Sequence, residues 1–495
     1  MFRFASWILF VALFAGVSKS KVVVAQSIDS ATWPQFRGAD GQNRSTGQVP
    51  IQFGPGQNEL WRLEIPHGNS SPVVWKDHIF LTGADESNLF VLCIARETGD
   101  VLWKREFKID FDRDYFHTDS SAASPTCCTD GERVYSYFGN YGVVVHDFEG
   151  NAIWKQRFPT IGLPFGVGSS PILHDGKLYV VRDVPQYGAI YCYDARSGNE
   201  VWMTPRPHKQ GSYSSPVVWE SNGEWQLVIG GSGTLDGYNC DTGKGVWTVN
   251  NLPAIACTSP AVTDEQIVYG AWTTAHSAGA ERTNSAFDED LKLTEEEIKS
   301  GAAFIKRFDA NDDRKLSRDE LPASRIKGAF RFMDANNDGH LQPKELDNFN
   351  RAPTAPGRNV MVAIRPGGSG DVTDSHVIWE STKQLPYVAS PLIHDDRVYY
   401  VKKGGFLTRL DLATGKEAYT RRLGLGGEYY ATPMIVNDHV YVCAARGTVF
   451  VIEPNDKLKT VAKNEIGEEI AASPAVIGDT LYLRTAKHLY AFGTR

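Results

Sequence analysis

The chain has 495 residues, of which 42% are hydrophobic and 22% are charged, and its formal net charge is −8. This composition is that of a globular protein and excludes a wholly disordered chain. The balance of 59 acidic against 51 basic residues argues against general nucleic-acid binding, which requires a basic surface. The length indicates about three domains, or one large repeat assembly with an insertion.

The first 25 residues have the pattern of a signal peptide. Arg3 supplies the basic start, Trp7 to Val17 is an apolar run too short to cross a bilayer, and Val23-Val24-Ala25 offers a cleavage site. We therefore predict that residues 1–25 are removed on export. The mature protein is expected in the periplasm or outside the cell, without a transmembrane span; an uncleaved anchor is the alternative.

A Ser-Pro or Thr-Pro pair recurs eight times along the rest of the chain. Six of the seven spacings lie between 41 and 53 residues, whereas the fifth is 131 residues and contains an insertion of roughly 86 residues. The pairs are Ser71-Pro72, Ser124-Pro125, Ser170-Pro171, Ser215-Pro216, Ser259-Pro260, Ser390-Pro391, Thr432-Pro433 and Ser473-Pro474.

Each repeat predicts four short strands. In the third repeat, the alternating segments Leu178 to Val181 and Ile190 to Asp194 read as strands, and the turn at Ser197-Gly198 leads to a last strand that contains Trp202. Glycine in such turns permits a positive φ between strands. Four strands in each period of 40 to 45 residues are typical of β-propeller blades.

Eight repeats predict an all-β fold, an eight-bladed propeller of four-stranded blades. The last repeat leaves room for only three strands, so Glu59 to Leu63, ahead of the first pair, is predicted to supply the fourth. This strand would close the ring and remove the exposed sheet edges.

The repeat resembles a known family. The Ser-Pro start, the Thr-Gly turn and the Trp five residues after that Thr, as in Thr98-Gly99 to Trp103, are similar to the tryptophan-docking motif of pyrroloquinoline-quinone-like (PQQ-like) β-propellers. Trp33 to Gly38 also resembles the opening of exported bacterial members. The family includes quinoprotein dehydrogenases and the cofactor-free outer-membrane assembly lipoprotein, so the resemblance implies the fold rather than the function. The motif tryptophans are expected to fill the gaps between blades.

Between residues 275 and 357 the composition changes, and helix-forming residues replace the Thr-Gly turns. We predict four segments: the signal peptide at 1–25, propeller blades one to five in part at 26–274, a small α-helical insertion at 275–357, and the remaining blades at 358–495. The insertion joins the second strand of blade five, Gln266 to Gly270, to the third, Asn359 to Ile364. It is therefore expected to overhang the mouth of the propeller.

Two loops of the insertion match the EF-hand spacing, in which oxygen ligands recur around a calcium ion. In the second loop Gly339 stands at position 6, where the chain turns sharply, and in the first loop Arg314 replaces that Gly. A non-Gly residue with positive φ costs about 1 kcal/mol, so we expect the first site to be weaker. The predicted calcium ligands are Asp309, Asn311, Asp313, Lys315 and Glu320 in the first loop, and Asp334, Asn336, Asp338, His340 and Glu345 in the second.

The vicinal pair Cys127-Cys128 is a weak candidate for cofactor binding. Quinoprotein alcohol dehydrogenases have a vicinal disulfide beside their quinone, and the resemblance implies a redox or cofactor-covering bridge here. The alternative is two small residues at the start of a strand. The seven cysteines of the chain are an odd number, so at least one thiol is free or pairs with another molecule.

We predict a calcium-binding scaffold without catalytic activity that binds a protein or polymer partner at the cell envelope. The alternative is a periplasmic PQQ-dependent dehydrogenase acting on alcohols or sugars; PQQ is therefore a considered but not favoured cofactor, and no catalytic residue is assigned. A lectin-like propeller is a third interpretation that no motif supports. A charged clamp and a calcium cluster in the funnel would favour the enzyme.

Overall fold

The structure is a computed structural model of the full chain. It describes residues 32–110, 120–160, 166–184, 187–206, 209, 212–273, 291–324, 326–327, 330, 333–334, 338–350, 357–455 and 457–494. The predicted signal peptide lies outside these residues.

Eight sheets form the propeller, and each contains four antiparallel blade strands that lie side by side. We number the sheets as blades 1 to 8 along the chain. The strands of blades 1 to 4 are Val73–Trp75, His78–Ala84, Asn88–Ala95 and Val101–Lys108; Cys128–Thr129, Arg133–Tyr137, Val143–Asp147 and Ala152–Gln156; Ile172–His174, Lys177–Arg182, Ala189–Asp194 and Glu200–Pro205; Val217–Ser221, Glu224–Gly231, Thr234–Asn239 and Gly245–Val249.

Blades 5 to 8 repeat this order. Their strands are Ala261–Val262, Ile267–Ala271, Val360–Ile364 and Val377–Ser381; Leu392–His394, Arg397–Lys402, Phe406–Asp411 and Glu417–Arg422; Met434–Val436, His439–Ala444, Thr448–Glu453 and Lys459–Glu465; Ala475–Ile477, Thr480–Arg484, His488–Phe492 and, from the start of the chain, Glu59–Glu64. Three short strands add to blades 1, 7 and 4: Thr32–Trp33, Arg44–Ser45 and Gly370–Asp371.

The last blade is closed by the start of the chain. Glu59–Glu64 pairs antiparallel with His488–Phe492, with Trp61 opposite Ala491 and Leu63 opposite Leu489. The prediction that this segment completes the ring is confirmed. The all-β, eight-bladed architecture is therefore a closed ring of sheets with few helices.

Tryptophans of the outer strands join neighbouring blades. The indole N–H of Trp103 in blade 1 donates to the carbonyl oxygen of Phe148 in blade 2 at 2.7 Å, and Trp154 in blade 2 donates to Ala195 in blade 3 at 3.0 Å. Each ring lies against the glycine of the next blade's turn, so that a Cβ on Gly198 would stand 2.5 Å from the Trp154 ring. Trp61, Trp202 and Trp379 form the same bond. Each docked ring fills the wedge between two sheets, as the motif predicted.

Blade 5 contains the inserted segment. Its second strand, Ile267–Ala271, pairs with Val360–Ile364, although 88 residues separate the two strands in the chain. Within the segment, the helices Glu295–Lys299, Gly301–Phe308 and Pro343–Asn350 and the paired strands Leu316–Ser317 and His340–Leu341 surround a separate core. Thr294 caps the first helix through a capping box with Glu297.

Two short helical turns complete the described secondary structure, Gly139–Tyr141 as a 3-10 turn and Thr373–His376 as an α-helix. Across the described residues, no helix combines the length and apolar character that a membrane crossing demands.

Candidate functional site

A closed ring of hydrogen bonds surrounds the propeller axis. At the start of every blade, a backbone N–H donates to the hydroxyl oxygen at the start of the next blade, over 2.8 to 3.4 Å. The eighth bond, from Ser473 to Ser71, returns to the first blade. The members are Ser71, Thr126, Ser170, Ser215, Ser259, Ser390, Thr432 and Ser473. We call this set the hydroxyl ring.

The hydroxyl ring corrects the predicted start of blade 2. The sequence placed it at Ser124-Pro125, but Thr126 makes the ring bonds and Cys127 takes the position that proline has in the other blades. Ser124 instead closes a local turn, since its hydroxyl donates to Ser121 O at 2.9 Å. The reason is the strand register: each first strand begins two residues after its ring member, and blade 2 begins at Cys128.

The start of the described chain packs along the inner strands of the propeller. Thr32–Trp33 pairs with the first strand of blade 1, and Arg44–Ser45 runs parallel to the first strand of blade 7. Between them, Pro34 O accepts from Thr129 N in blade 2 at 2.9 Å. We call residues 32–48 the axial segment. Because first strands border the axis, this segment fills the central channel on the side away from the funnel.

Arg37 is the main anchor of the axial segment. Its guanidinium is 1% exposed and donates to Pro260 O at 2.8 Å and to Pro391 O at 3.0 Å, which joins the starts of blades 5 and 6. Burial lowers the pKa of Arg37 to about 10. Asn43 makes the corresponding bonds to Thr432 O and Pro433 O. The motif from Trp33 to Gly38 predicted no role for Arg37, although a single Arg within an otherwise uncharged, aromatic stretch was a signal of one.

The funnel opens on the opposite face, where the fourth strand of each blade connects to the first strand of the next. Two residues before each member of the hydroxyl ring lies a half-buried residue, and the residue between them is buried in every blade. Neighbours in this layer touch, since a Cβ on Gly168 would lie 3.0 Å from Tyr213 Cβ. The layer, which we call the funnel floor, consists of Asn69, Ser124, Gly168, Tyr213, Cys257, Val388, Tyr430 and Ala471.

The eight residues of the funnel floor supply no charged group to a quinone such as PQQ. That quinone has several carboxylates and requires fixed cations or donors around them, but none of the eight floor residues, all of them within the described chain, is charged. The nearby Arg484 is 1% exposed, and its nitrogens already donate to Thr82 O at 2.8 Å and to Ser70 O at 3.1 Å. Burial lowers the pKa of Arg484 to about 9. This guanidinium holds blades 8 and 1 together.

The side chains of Cys127 and Cys128 point to different blade interfaces. Both are fully buried free thiols. Cys127 belongs to a buried cluster that includes Phe80 of blade 1, whereas Cys128 belongs to one that includes Leu178 of blade 3. Burial raises the pKa of the Cys127 thiol to about 12 and that of Cys128 well above its ordinary value. In this arrangement both cysteines are packing residues.

In the first inserted loop, side-chain oxygens accept hydrogen bonds from the backbone of the same loop. Arg314 has φ 62°, and its N–H donates to Asp309 Oδ2 at 2.8 Å. Asn311 Oδ1 and Asp313 Oδ1 accept from N–H groups two residues further on. Glu320 accepts from Ser317 N at 2.7 Å, and the Ser317 backbone bond is the main reason that the pKa of Glu320 is lowered.

The second loop repeats this pattern with a glycine at the turn. Gly339 has φ 80° and donates to Asp334 Oδ2 at 3.0 Å. Asp338 Oδ1 accepts from His340 N at 2.9 Å, and Glu345 accepts from Gln342 N at 2.8 Å. The predicted ligand Asn336 lies outside the described residues.

The two loops face each other through a short antiparallel pair. Leu316 lies opposite Leu341, and Ser317 lies opposite His340. Both leucines are fully buried in the core of the insertion with Phe304. Both leucines stand at the eighth position of their loops. Lys315 Nζ also lies 3.7 Å from Asp338 Oδ2, so a lysine of the first loop lies beside a carboxylate of the second.

Comparison with known proteins places the chain in a family. The family model described as outer membrane protein assembly factor BamB matches residues 87–250, 186–292 and 301–495. These matches cover most of the chain, which therefore belongs to this family of PQQ-like repeat propellers. No curated protein matches the chain in sequence.

Solved structures share the fold at low identity. BamB from Moraxella catarrhalis matches 88% of this chain and 97% of its own, with a TM-score of 0.54 and 11% identity. The quinohemoprotein alcohol dehydrogenase ADHIIG from Pseudomonas putida HK5 matches 94% and 81%, with a TM-score of 0.55 and 11% identity. A europium-containing methanol dehydrogenase matches 94% and 98%, with a TM-score of 0.53 and 10% identity. At these identities the likeness shows the fold alone.

Proposed function

We propose that this protein is an exported, calcium-binding β-propeller that acts as a scaffold without catalytic activity and binds a protein or polymer partner at the cell envelope. The observation that carries the proposal is the uncharged funnel floor. A binding surface needs no cofactor clamp, whereas quinone chemistry requires fixed charges and a base beside the substrate. The family description, an outer-membrane protein assembly factor, supports a partner and a location of this kind.

The rim of the funnel offers aromatic contacts to such a partner. Trp272, at the start of the insertion, is 39% exposed, and its ring lies edge-on to Tyr387 at 6.1 Å. Tyr213 and Tyr430 belong to the floor below. Aromatic rings with polar tips and little net charge suit extended uncharged segments of a protein or glycan chain. Trp272→Ala is therefore expected to weaken partner binding without lowering the Tm.

Calcium in this proposal holds the two inserted loops together. Asp309, Asp313 and Glu320 supply the carboxylates of the first loop, and Asp334, Asp338 and Glu345 supply those of the second. Asn311 and Asn336 add amide oxygens, while Lys315 and His340 offer backbone carbonyls. The paired leucines already fix the two loops against each other, so calcium is expected to act as a clip that stiffens the insertion beside the funnel.

Reconstitution with PQQ and calcium tests the proposal against the dehydrogenase alternative. The full-length mature protein is mixed with both, and quinone binding and dye reduction are measured with alcohols and aldose sugars. A known PQQ dehydrogenase serves as the positive control. If the protein is a scaffold, we expect neither stoichiometric quinone binding nor turnover. Stoichiometric quinone binding with substrate-dependent turnover by the unmodified protein would overturn the proposal.

A further inference from the structure

A histidine and two aspartates meet on the face opposite the funnel, where the turns of blades 6 and 7 are neighbours. His394 ends the first strand of blade 6, Asp395 follows it in the turn, and Asp438 lies in the corresponding turn of blade 7. His394 Nε2 lies 3.2 Å from Asp395 Oδ2 and 3.5 Å from Asp438 Oδ1. Two blades thus direct three ligand-type atoms to one point.

The imidazole nitrogen at this point lies within ion-pair distance of both carboxylates. The His394 side chain is 17% exposed, and its Nε2 atom makes no hydrogen bond of regular geometry with any group in the described chain. Buried polar atoms normally have hydrogen-bond partners, so a ring nitrogen held between two carboxylate oxygens without such a bond suits a metal ion. The side chains of Asp395 and Asp438 are 72% and 80% exposed, which leaves the outer side of the cluster open to solvent and to an entering ion.

We propose that His394, Asp395 and Asp438 form a binding site for Zn²⁺ or a similar divalent transition metal. Zinc bonds of about 2.0 to 2.2 Å in tetrahedral geometry separate neighbouring ligand atoms by about 3.3 to 3.6 Å. The observed separations of 3.2 and 3.5 Å correspond to two edges of such a tetrahedron. An imidazole with two carboxylates suits zinc, whereas calcium prefers oxygen ligands alone.

The site is specific to one blade junction. Among the residues that the structure describes, this is the one group of three His, Cys, Asp or Glu side chains whose ligand atoms all lie within 4.8 Å of one another. Blade 3 has the same register, with His174 ending the first strand and Asp175 following. There the next blade's turn contains Asn222, and the His174 ring packs on Trp225 at 4.5 Å. The repeat alone therefore does not create the site.

A bound metal would connect blades 6 and 7 where no docked tryptophan joins them. The fourth strand of blade 6 has Tyr419 at its aromatic position, and this side chain is 38% exposed. Three protein ligands leave at least one coordination position to water. Because metal binds the folded protein, it should stabilise it by mass action, and the expected readout is a rise in Tm with zinc.

Zinc titration of the full-length mature protein, without an affinity tag and saturated with Ca²⁺ to occupy the inserted loops, tests the site. Calorimetry and elemental analysis measure the stoichiometry, and Co²⁺ substitution reports the coordination by its visible spectrum. The variants are His394→Gln and Asp438→Asn, with His174→Gln as the matched control.

One equivalent of Zn²⁺ is expected for the wild type and for His174→Gln, together with a rise in Tm. Affinity should fall at least about tenfold in both site variants, since loss of even an outer-shell partner has effects of that size. Equal binding by wild type and Asp438→Asn, a conservative change on the surface, overturns the proposal. No binding by the wild type also overturns it.

Discussion

The guanidinium of Arg37 donates to the carbonyl oxygen of Pro391 at 3.0 Å, between residues 354 positions apart in the chain. Its other terminal nitrogen bonds to Pro260 O, so one side chain from the axial segment joins blade 5, which contains the insertion, to blade 6. The first described residues are thus part of the propeller's inner packing, and the ring is secured both at its rim, by Glu59–Glu64, and at its axis.

Substitution of Arg37 is expected to destabilise the propeller. Arg37→Ala leaves two buried carbonyls without their donor and opens a cavity at the axis, which should lower the free energy of unfolding by about 2–4 kcal/mol. Denaturant titration measures the loss. Arg44→Ala is the matched control, because that side chain is 46% exposed in its ion pair with Asp40 and should change stability by less than about 1 kcal/mol. Equal losses for the two variants would contradict the assigned role.

The docking of Trp154 on Gly198 predicts that loss of this tryptophan costs more stability than loss of an exposed one. Trp154→Ala removes the indole from the wedge between blades 2 and 3 and should cost about 3 kcal/mol. Gly198→Ala should also destabilise, since Gly198 has φ 74° and an added Cβ would meet the Trp154 ring. Trp225→Ala serves as control, because this tryptophan is 45% exposed. Thermal melting decides; similar Tm values for Trp154→Ala and Trp225→Ala would argue against docking.

The period of the repeat made the propeller predictable, because each blade reproduces the same turn and anchor. The prediction was wrong by two residues at blade 2, since Ser124-Pro125 copies the anchor motif while Thr126 makes the ring bond. Proline is not required there: Cys127 fills its place. A sequence motif reports residue types, but the hydrogen-bond partner depends on strand register.

The axial segment and the His394 cluster could not be predicted in the same way. Arg37 contacts carbonyls that no local pattern connects to it, and Asp438 reaches His394 only because blades 6 and 7 are adjacent. Contacts between distant parts of the chain depend on closure of the ring. The calcium ligands of the inserted loops stay a prediction, and the sequence allowed that prediction because the candidate residues of each loop lie within one short stretch.

Calcium is expected to bind the second loop more tightly than the first. Gly339 and Arg314 adopt similar positive φ values of 80° and 62°, but only the non-Gly residue Arg314 is strained by this conformation. The strain costs about 1 kcal/mol, which corresponds to a roughly fivefold difference in Kd between the two loops. Affinities should lie at about 10⁻⁴ to 10⁻³ M, the range of extracellular modules. Calorimetry on the full-length protein compares Glu320→Gln, which retains the second site, with Glu345→Gln, which retains the first.

Relief of the strain provides the control for that comparison. Arg314→Gly should strengthen the first site by about fivefold and leave the second unchanged. Equal affinities of the two sites in the unmodified loops, or no response to Arg314→Gly, would contradict the strain argument.

His146 should make stability depend on pH. Its side chain is 2% exposed against Trp103 and Phe107, and burial, assisted by the charge of Arg105, lowers its pKa from 6.5 to about 4. The folded state therefore holds the neutral form. The contribution of His146 to the free energy of unfolding is complete above pH 6.5. It is lost as the pH falls towards 4, because His146 takes up a proton more readily in the unfolded chain. The loss is about 3 kcal/mol.

Urea unfolding at several pH values measures this contribution by comparison with His146→Phe, which keeps an aromatic ring and cannot titrate. The carboxylates of the chain titrate in both proteins. The difference between the two curves of unfolding free energy against pH therefore reports His146. Parallel curves for the two proteins between pH 4 and 6.5 would show that His146 is not buried as a neutral group.

Removal of the insertion should leave the propeller folded. Thr273 N donates to Asn359 Oδ1 at 2.7 Å, and Asn359 Nδ2 donates back to Thr273 O at 3.0 Å, so the chain leaves and re-enters blade 5 at adjacent strand ends. Replacing residues 275–356 with a Gly-Asn-Gly turn retains Gly357, which lies against Leu252 O. Few blade contacts are lost, and one cooperative melting transition is expected, without calcium binding. Loss of cooperative melting would place the boundary inside the propeller, and retained calcium binding would place the cation outside the inserted loops.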